Sequence, residues 1–120
     1  MEATKKIAEL EVWLGLRLPE MYAQFLRGHS EKIFGDRVLL YSVEDLIERN
    51  SVYETKVYCP GHIAIGDDSG GRAFVIPLEE WMGSVFVVDH GDMTKDGFNL
   101  VTTNFDDWIK NDCAVPVYAL

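Results

Sequence analysis

Positive charge is scarce in this sequence. Eleven lysines and arginines stand against 20 aspartates and glutamates, a formal net charge of −9. Beyond Lys5-Lys6 the bases do not cluster, which argues against a nucleic-acid surface, because such a surface must neutralise phosphates. Long apolar runs are missing as well. No stretch approaches the ~20 apolar residues that span a bilayer, and one of the longer runs, Ala73 to Leu78, has the length of a strand. The opening MEATKKIAEL mixes acids with its apolar residues and lacks the continuous apolar run of a secretory signal. A cytoplasmic protein without membrane contact is the expectation. Cysteine is nearly absent: Cys59 and Cys113 lie far apart and make no CxxC. Both are expected free and reduced, with a single disulfide between them as the alternative. A phosphate-binding loop is missing too, because Gly66-x4-Gly71-Arg72 lacks the Lys-Ser/Thr that would hold phosphate and magnesium.

What is present is the make-up of a globular domain. The 120 residues are 48% hydrophobic and 26% charged, with no repeat and no Pro- or Ser-rich linker, so a single domain over residues 1–120 is expected. Residues 3–14 carry Ile7, Leu10 and Leu14 at helical spacing, and Gly15 suits a left-handed cap. Pro19 suits the first position of a second helix, whose Tyr22, Phe25 and Leu26 share one face, and Gly28 ends it. Residues 37–41 predict a strand. Ser42 and Asp45 suggest a weak capping box for a third helix over 43–53, burying Val43, Leu46 and Ile47.

After the turn signal Pro60-Gly61 the period changes to two. Residues 62–66 and 72–76 read as a hairpin, 84–89 as a further strand and 98–101 as another. Thr103, with Asp106, is the expected cap of a last helix carrying Phe105, Trp108 and Ile109. The order predicts an α+β fold, mainly an antiparallel sheet with helices packed on one face.

The string Gly66-Asp67-Asp68-Ser69-Gly70-Gly71 evokes the setting of a serine nucleophile. None of His29, His62 and His90 stands in a recognisable catalytic context, however, and two acids precede the serine where the protease string has one. Asp, Ser and Gly between two β-runs are also what a turn requires, so Ser69 is read as a turn residue. From Asp92, oxygen side chains fall at positions one, three and five, with Gly97 at six, as in a calcium loop. The closing glutamate is replaced by Thr103 and Lys95 intrudes, so the oxygens fall short. No metal, cofactor or catalytic residue is expected. Trp81, in the loop Leu78 to Gly83, either caps the core or anchors a partner. Trp13 and Trp108 are expected in the core.

Taken in order, Leu14-Gly15-x-x-Leu18-Pro19-x-x-Tyr22-x-x-Phe25-Leu26, then Ile65-Gly66-Asp67-Asp68-Ser69-Gly70-Gly71 before an apolar strand, Val85-Phe86-Val87-Val88-Asp89-His90-Gly91, and Phe105-Asp106-Asp107-Trp108-Ile109 resemble the SUKH superfamily. That superfamily includes a fungal cell-wall synthesis regulator and many bacterial toxin-immunity proteins. The likeness covers roughly residues 10–112. Gly66 and Gly71 match its recurrent glycines, whereas Arg27-Gly28-His29-Ser30 departs from the Asn-Gly-Gly-like turn frequent there.

The resemblance implies a non-enzymatic, protein-binding domain, foremost an immunity protein for a toxin, often of the nuclease or deaminase kind. The alternative is a regulatory interaction module without a toxin, and a third reading is a small hydrolase using Ser69 or the acids around it. The charge of −9 then gains a purpose, since nuclease toxins tend to be basic and an acidic inhibitor would be steered onto them. The expected partner-binding residues are Asp67, Asp68, Glu79, Glu80, Trp81, Asp89, Asp92 and Asp96.

Overall fold

The computed structural model describes residues 2–29, 32–35 and 37–119. Their strands form one antiparallel sheet in which spatial order equals chain order: β1 (Lys32–Phe34), β2 (Val38–Leu40), β3 (His62–Asp67), β4 (Arg72–Pro77), β5 (Val85–Asp89) and β6 (Asn99–Thr102). The helices are α1 (Glu2–Leu14), α2 (Glu20–Arg27), α3 (Leu46–Tyr53), the single turn α4 (Thr55–Tyr58) and α5 (Phe105–Lys110), with short 3₁₀ turns at Lys95–Gly97 and Val117–Ala119. This is the expected α+β class. Among the described residues no helix is long and apolar enough to cross a membrane.

Alternation along the central strands sorts their side chains onto two faces. Ile63, Ile65, Phe74, Ile76, Val85 and Val87 point into the main core, which Ile7, Leu10, Tyr22, Leu26, Leu46, Phe105 and Trp108 complete from the helices. Ala64, Ala73, Val75 and Val88 point the other way and are covered by Met93 and, partly buried, Tyr53, Phe86 and Phe98. Both faces of β3 and β4 are thus buried, which is why these strands read as unbroken apolar runs.

β2 is too short to accompany all of β3. The ladder covers Leu39↔Asp67 and Leu40↔Gly66, followed by Tyr41 N–H to the Ile65 carbonyl at 3.0 Å. Beyond it the edge of β3 is taken up by buried Asn50 of α3. The Asn50 Nδ2 donates to the Ala64 and Leu46 carbonyls (3.0 and 2.9 Å), and its Oδ1 accepts from Ala64 N–H (2.7 Å) and Thr55 Oγ1 (3.0 Å). All four hydrogen-bonding positions of the amide are used.

Gly66 has an ordinary backbone but no room: a Cβ there would overlap the Leu39 carbonyl oxygen. Gly71 has the opposite property, φ +107° with open space around it. Of the two glycines expected to bracket the hairpin, one serves a close strand approach and the other a left-handed turn.

Several boundaries differ from the expectations. β1 went unforeseen because it is only three residues long, and α4 because one turn carries no period. α3 starts at Leu46 rather than Val43. Ser42 Oγ spends its hydrogen bond on Asp45 Oδ2 at 3.3 Å, and Asp45 makes no side-chain cap. Asn104, not Thr103, caps α5: its Oδ1 accepts from Asp107 N–H at 3.0 Å, while Thr102 Oγ1 accepts from Asn104 N–H. Cys59 is buried with a free thiol, and Cys113 is buried separately. Gly28 does end α2, though with φ −109°, and its expected successor in the turn, Ser30, lies outside the described residues.

Candidate functional site

The strand registers divide the connecting loops between two ends of the sheet. Arg72 pairs with Asp89, and His90 N–H reaches the Gly71 carbonyl at 2.8 Å, so the β3–β4 and β5–β6 loops lie side by side. These loops carry Asp67, Asp68, Asp89, Asp92 and Asp96. The β4–β5 connection, with Glu79, Glu80 and Trp81, emerges at the other end. With six residues in β4, the two ends are about 20 Å apart along the strand.

The β3–β4 loop is built by its own acids. Asp67 Oδ1 accepts from Ser69 N–H (2.9 Å), and Asp68 Oδ1 accepts from Gly70 N–H (2.8 Å) and Arg72 N–H (3.0 Å). Ser69 sits at φ +62°, the left-handed conformation of a turn. Among the described residues no histidine ring bonds to it: those of His29 and His62 bond to the Leu40 and Pro60 carbonyls, and that of His90 lies against Tyr53. Asp68 is mostly occluded, its side chain 9% exposed and 3.9 Å from the Arg72 guanidinium.

The second oxygen of Asp67 enters a chain of hydroxyls. Tyr41 donates to Asp67 Oδ2 at 2.6 Å, and the Tyr41 and Tyr53 hydroxyls are 2.7 Å apart. A hydroxyl has one proton, so Tyr53 donates to Tyr41. Burial, and then its bond to Asp67, push the Tyr41 phenol well above the ordinary tyrosine value, and burial raises that of Tyr53. Neither ionises near neutrality. The trio is a strut joining β2, α3 and β3 rather than a proton-transfer device.

Beside this strut lies an open groove of about 510 Å³. One wall comes from α3 and α4 (Val52, Tyr53, Glu54, Tyr58) and the other from the β5–β6 loop (His90, Asp92, Met93, Thr94), with no lysine or arginine in the lining. The His90 ring stands 4.8 Å from that of Tyr53. Val52 and Tyr58 are exposed. Glu54 occupies the α3–α4 junction at φ +54°, a left-handed position unusual for a side chain with a Cβ. Asp92 Oδ1 accepts from both the N–H and Oγ1 of Thr94 (3.3 and 2.7 Å). These bonds hold its carboxyl below the usual range. The calcium-like loop therefore uses its first acid to shape a turn, and among the described residues no three His, Cys, Asp or Glu side chains converge as metal ligands would.

At the opposite end Trp81 caps the core. Its ring meets Phe105 at 5.2 Å and Tyr22 at 6.3 Å, both edge-on, and its Nε1–H donates to the Ser84 carbonyl at 2.8 Å. The apolar side chain fully offered to solvent there is Met82, 87% exposed. Glu79 and Glu80 are exposed on the same connection.

The family model of the SMI1 / KNR4 family (SUKH-1) matches residues 3–111, which takes in all six strands, α2 to α5 and all of α1 but its first residue. The chain belongs to this family. It is also similar to the uncharacterized protein YnaB of Bacillus subtilis (strain 168), with 30% identity over 107 residues, covering 87% of this chain and 71% of that protein. Within this SUKH-1 domain the aromatic segment of α2 and the Gly66–Gly71 hairpin belong to the core and the sheet. The groove was not legible beforehand, because Tyr53, Tyr58 and His90 meet only when α3 docks beside β3.

Proposed function

We propose that this SUKH-1 chain is a protein-binding domain without enzymatic activity, acting as a cytoplasmic immunity protein that captures a basic toxin domain. The observation that carries this reading is the gathering of Asp67, Asp68, Asp89, Asp92 and Asp96 at one end of the sheet of a protein with net charge −9. Such a concentration of one sign accelerates encounter with an oppositely charged surface. The five do not contribute alike. Asp67 and Asp68 are half-buried in their turn, whereas Asp89 and Asp92, each bonded to its own turn through one oxygen, and Asp96 are exposed and are the charges a partner would meet. Glu79 and Glu80 add to the field from the far end, and Trp81 serves folding more than contact.

The test uses the captured partner. Association rates should fall steeply with rising salt, and several-fold in an Asp89→Asn/Asp92→Asn/Asp96→Asn variant, with dissociation changing less. A partner that is acidic, or an association rate indifferent to both salt and the substitutions, would overturn the proposal. A basic partner with no toxic activity would move the role from immunity to regulation. A hydrolytic activity lost on Ser69→Ala would return the chain to the enzymes.

A further inference from the structure

The groove between α3–α4 and the β5–β6 loop has the chemistry of a receptor for one cationic side chain, and we infer that it takes an arginine of the partner protein. The inference rests on the proposed capture of a basic partner and adds where, and through what group, that partner is held.

Three aromatic rings, Tyr53, Tyr58 and His90, stand in the groove's walls, and each wall contributes one carboxylate, Glu54 from the helices and Asp92 from the loop. Aromatic faces and carboxylates together suit a guanidinium, which stacks on rings and bonds to carboxylates through a planar fork. A lysine ammonium would use the charge but not the stacking.

Lys95, next to Thr94 on the loop, is exposed and outside the lining, and three other nearby cations are placed elsewhere. Arg49 lies over the Tyr41 ring, Arg72 faces Asp68, and Lys56 lies over Trp13 and donates to its carbonyl. The groove is thus left with negative charge and no internal counterion in its lining. Its volume of about 510 Å³ falls within the ~300–1,000 Å³ typical of ligand pockets, ample for one long side chain. The strut of Tyr53, Tyr41 and Asp67 fixes the Tyr53 ring in its wall before any partner arrives, so little ordering of that ring remains to be done on binding.

The test is an NMR titration of the ¹⁵N-labelled full chain at low salt with three blocked tripeptides, Gly-Arg-Gly, Gly-Lys-Gly and Gly-citrulline-Gly. The arginine peptide should shift the amides of residues 52–58 and 90–94 saturably, the lysine peptide more weakly, and the neutral citrulline peptide not at all. Glu54→Gln/Asp92→Asn and, separately, Tyr58→Leu should each weaken the arginine peptide at least threefold, whereas Glu79→Gln/Glu80→Gln should leave it unchanged. All three variants alter exposed residues, and melting curves would verify their folding.

Equal shifts around residues 79–80, no saturable change, or an equal response to citrulline would overturn the inference. So would shifts of the same amides on raising protein concentration alone, which would put a second copy of the chain in the groove. If the Glu54→Gln/Asp92→Asn variant binds the captured partner as tightly as the parent while association still depends on salt, the arginine site fails and the wider reading stands. If no basic partner is captured but the arginine peptide binds as expected, the groove stands and the immunity reading fails.

Discussion

Asn50 and Ala64 are hydrogen-bonded in both directions: the Asn50 side chain accepts from the Ala64 N–H at 2.7 Å and donates to the Ala64 carbonyl at 3.0 Å. A helix side chain here does what a neighbouring strand does elsewhere in the sheet. Asn50→Leu would leave the donor and acceptor of Ala64 buried without the amide, while the Thr55 hydroxyl keeps only its longer bond, 3.4 Å, to the Asn50 carbonyl. Each such group costs about 1–3 kcal/mol, so a loss of at least about 2 kcal/mol is expected in urea unfolding. A change below about 0.5 kcal/mol would show that water replaces the amide without loss.

The tyrosines should respond to loss of their hydroxyls with opposite signs. Tyr22 is buried and its hydroxyl has no hydrogen-bond partner among the described residues. Tyr22→Phe removes that desolvated group and should stabilise the fold by about 1 kcal/mol. Tyr41→Phe breaks the bonds to Asp67 and Tyr53 and should destabilise by about 1–3 kcal/mol. Paired denaturation curves decide the matter, and equal shifts in the same direction would contradict the assignment.

The two hairpin glycines separate steric overlap from backbone strain. At Gly66 an added methyl meets the Leu39 carbonyl oxygen and Leu40 Cδ2, and Gly66→Ala should cost about 3 kcal/mol because β2 must move away. At Gly71 nothing crowds the position, and Gly71→Ala should cost only the strain of φ +107°, about 1–2 kcal/mol. Melting temperatures in the reverse order would refute this division.

Alkaline pH should unfold this protein early. Burial pushes the Cys59 thiol from its ordinary 9.0 up to about 11, and it raises the phenols of Tyr22, Tyr41 and Tyr53 above the ordinary 10.0. Between the ordinary and folded values the unfolded chain has lost the proton that the folded chain keeps. Stability is therefore fully present below about pH 9 and declines above it, by up to about 1.4 kcal/mol per pH unit for each such group. Urea unfolding from pH 8 to 11 measures the slope, and Cys59→Ala should flatten its first part. Equal stability at pH 8 and 10.5 would contradict the burial argument.

Much of the fold was open to inspection in the residues because the long elements keep one period. Ile7 and Leu10 mark α1, and the apolar runs of β3, β4 and β5 stand between clear turn signals. What escaped was short or indirect. Three-residue β1 has no alternation to detect, and Asn104 outcompetes Thr103 as a cap through a geometry that spacing alone does not decide. The Asp67-Asp68 turn was readable as a turn, but not the Tyr41 hydroxyl that occupies Asp67's other oxygen from 26 positions away. Asn50 did leave a trace: it falls four residues after Leu46, on the buried face of an amphipathic helix, where a polar residue must have a buried partner.

The chain-ordered sheet also bears on how the molecule assembles. Each strand pairs with its neighbours in sequence, so β3 to β6 can zip together through short loop closures, each with little entropic cost. β2 must join β3 across the α3–α4 excursion, and there Asn50 holds the open margin of β3 while the chain returns. Helices α1 and α2 emerge first during synthesis, yet their apolar faces pack on residues such as Ile63, Phe74 and Phe105, so they stay unsatisfied until the downstream strands arrive. The N-terminal helices are consequently expected to become secure last and the central hairpin first, an order that pulsed hydrogen exchange during refolding would read.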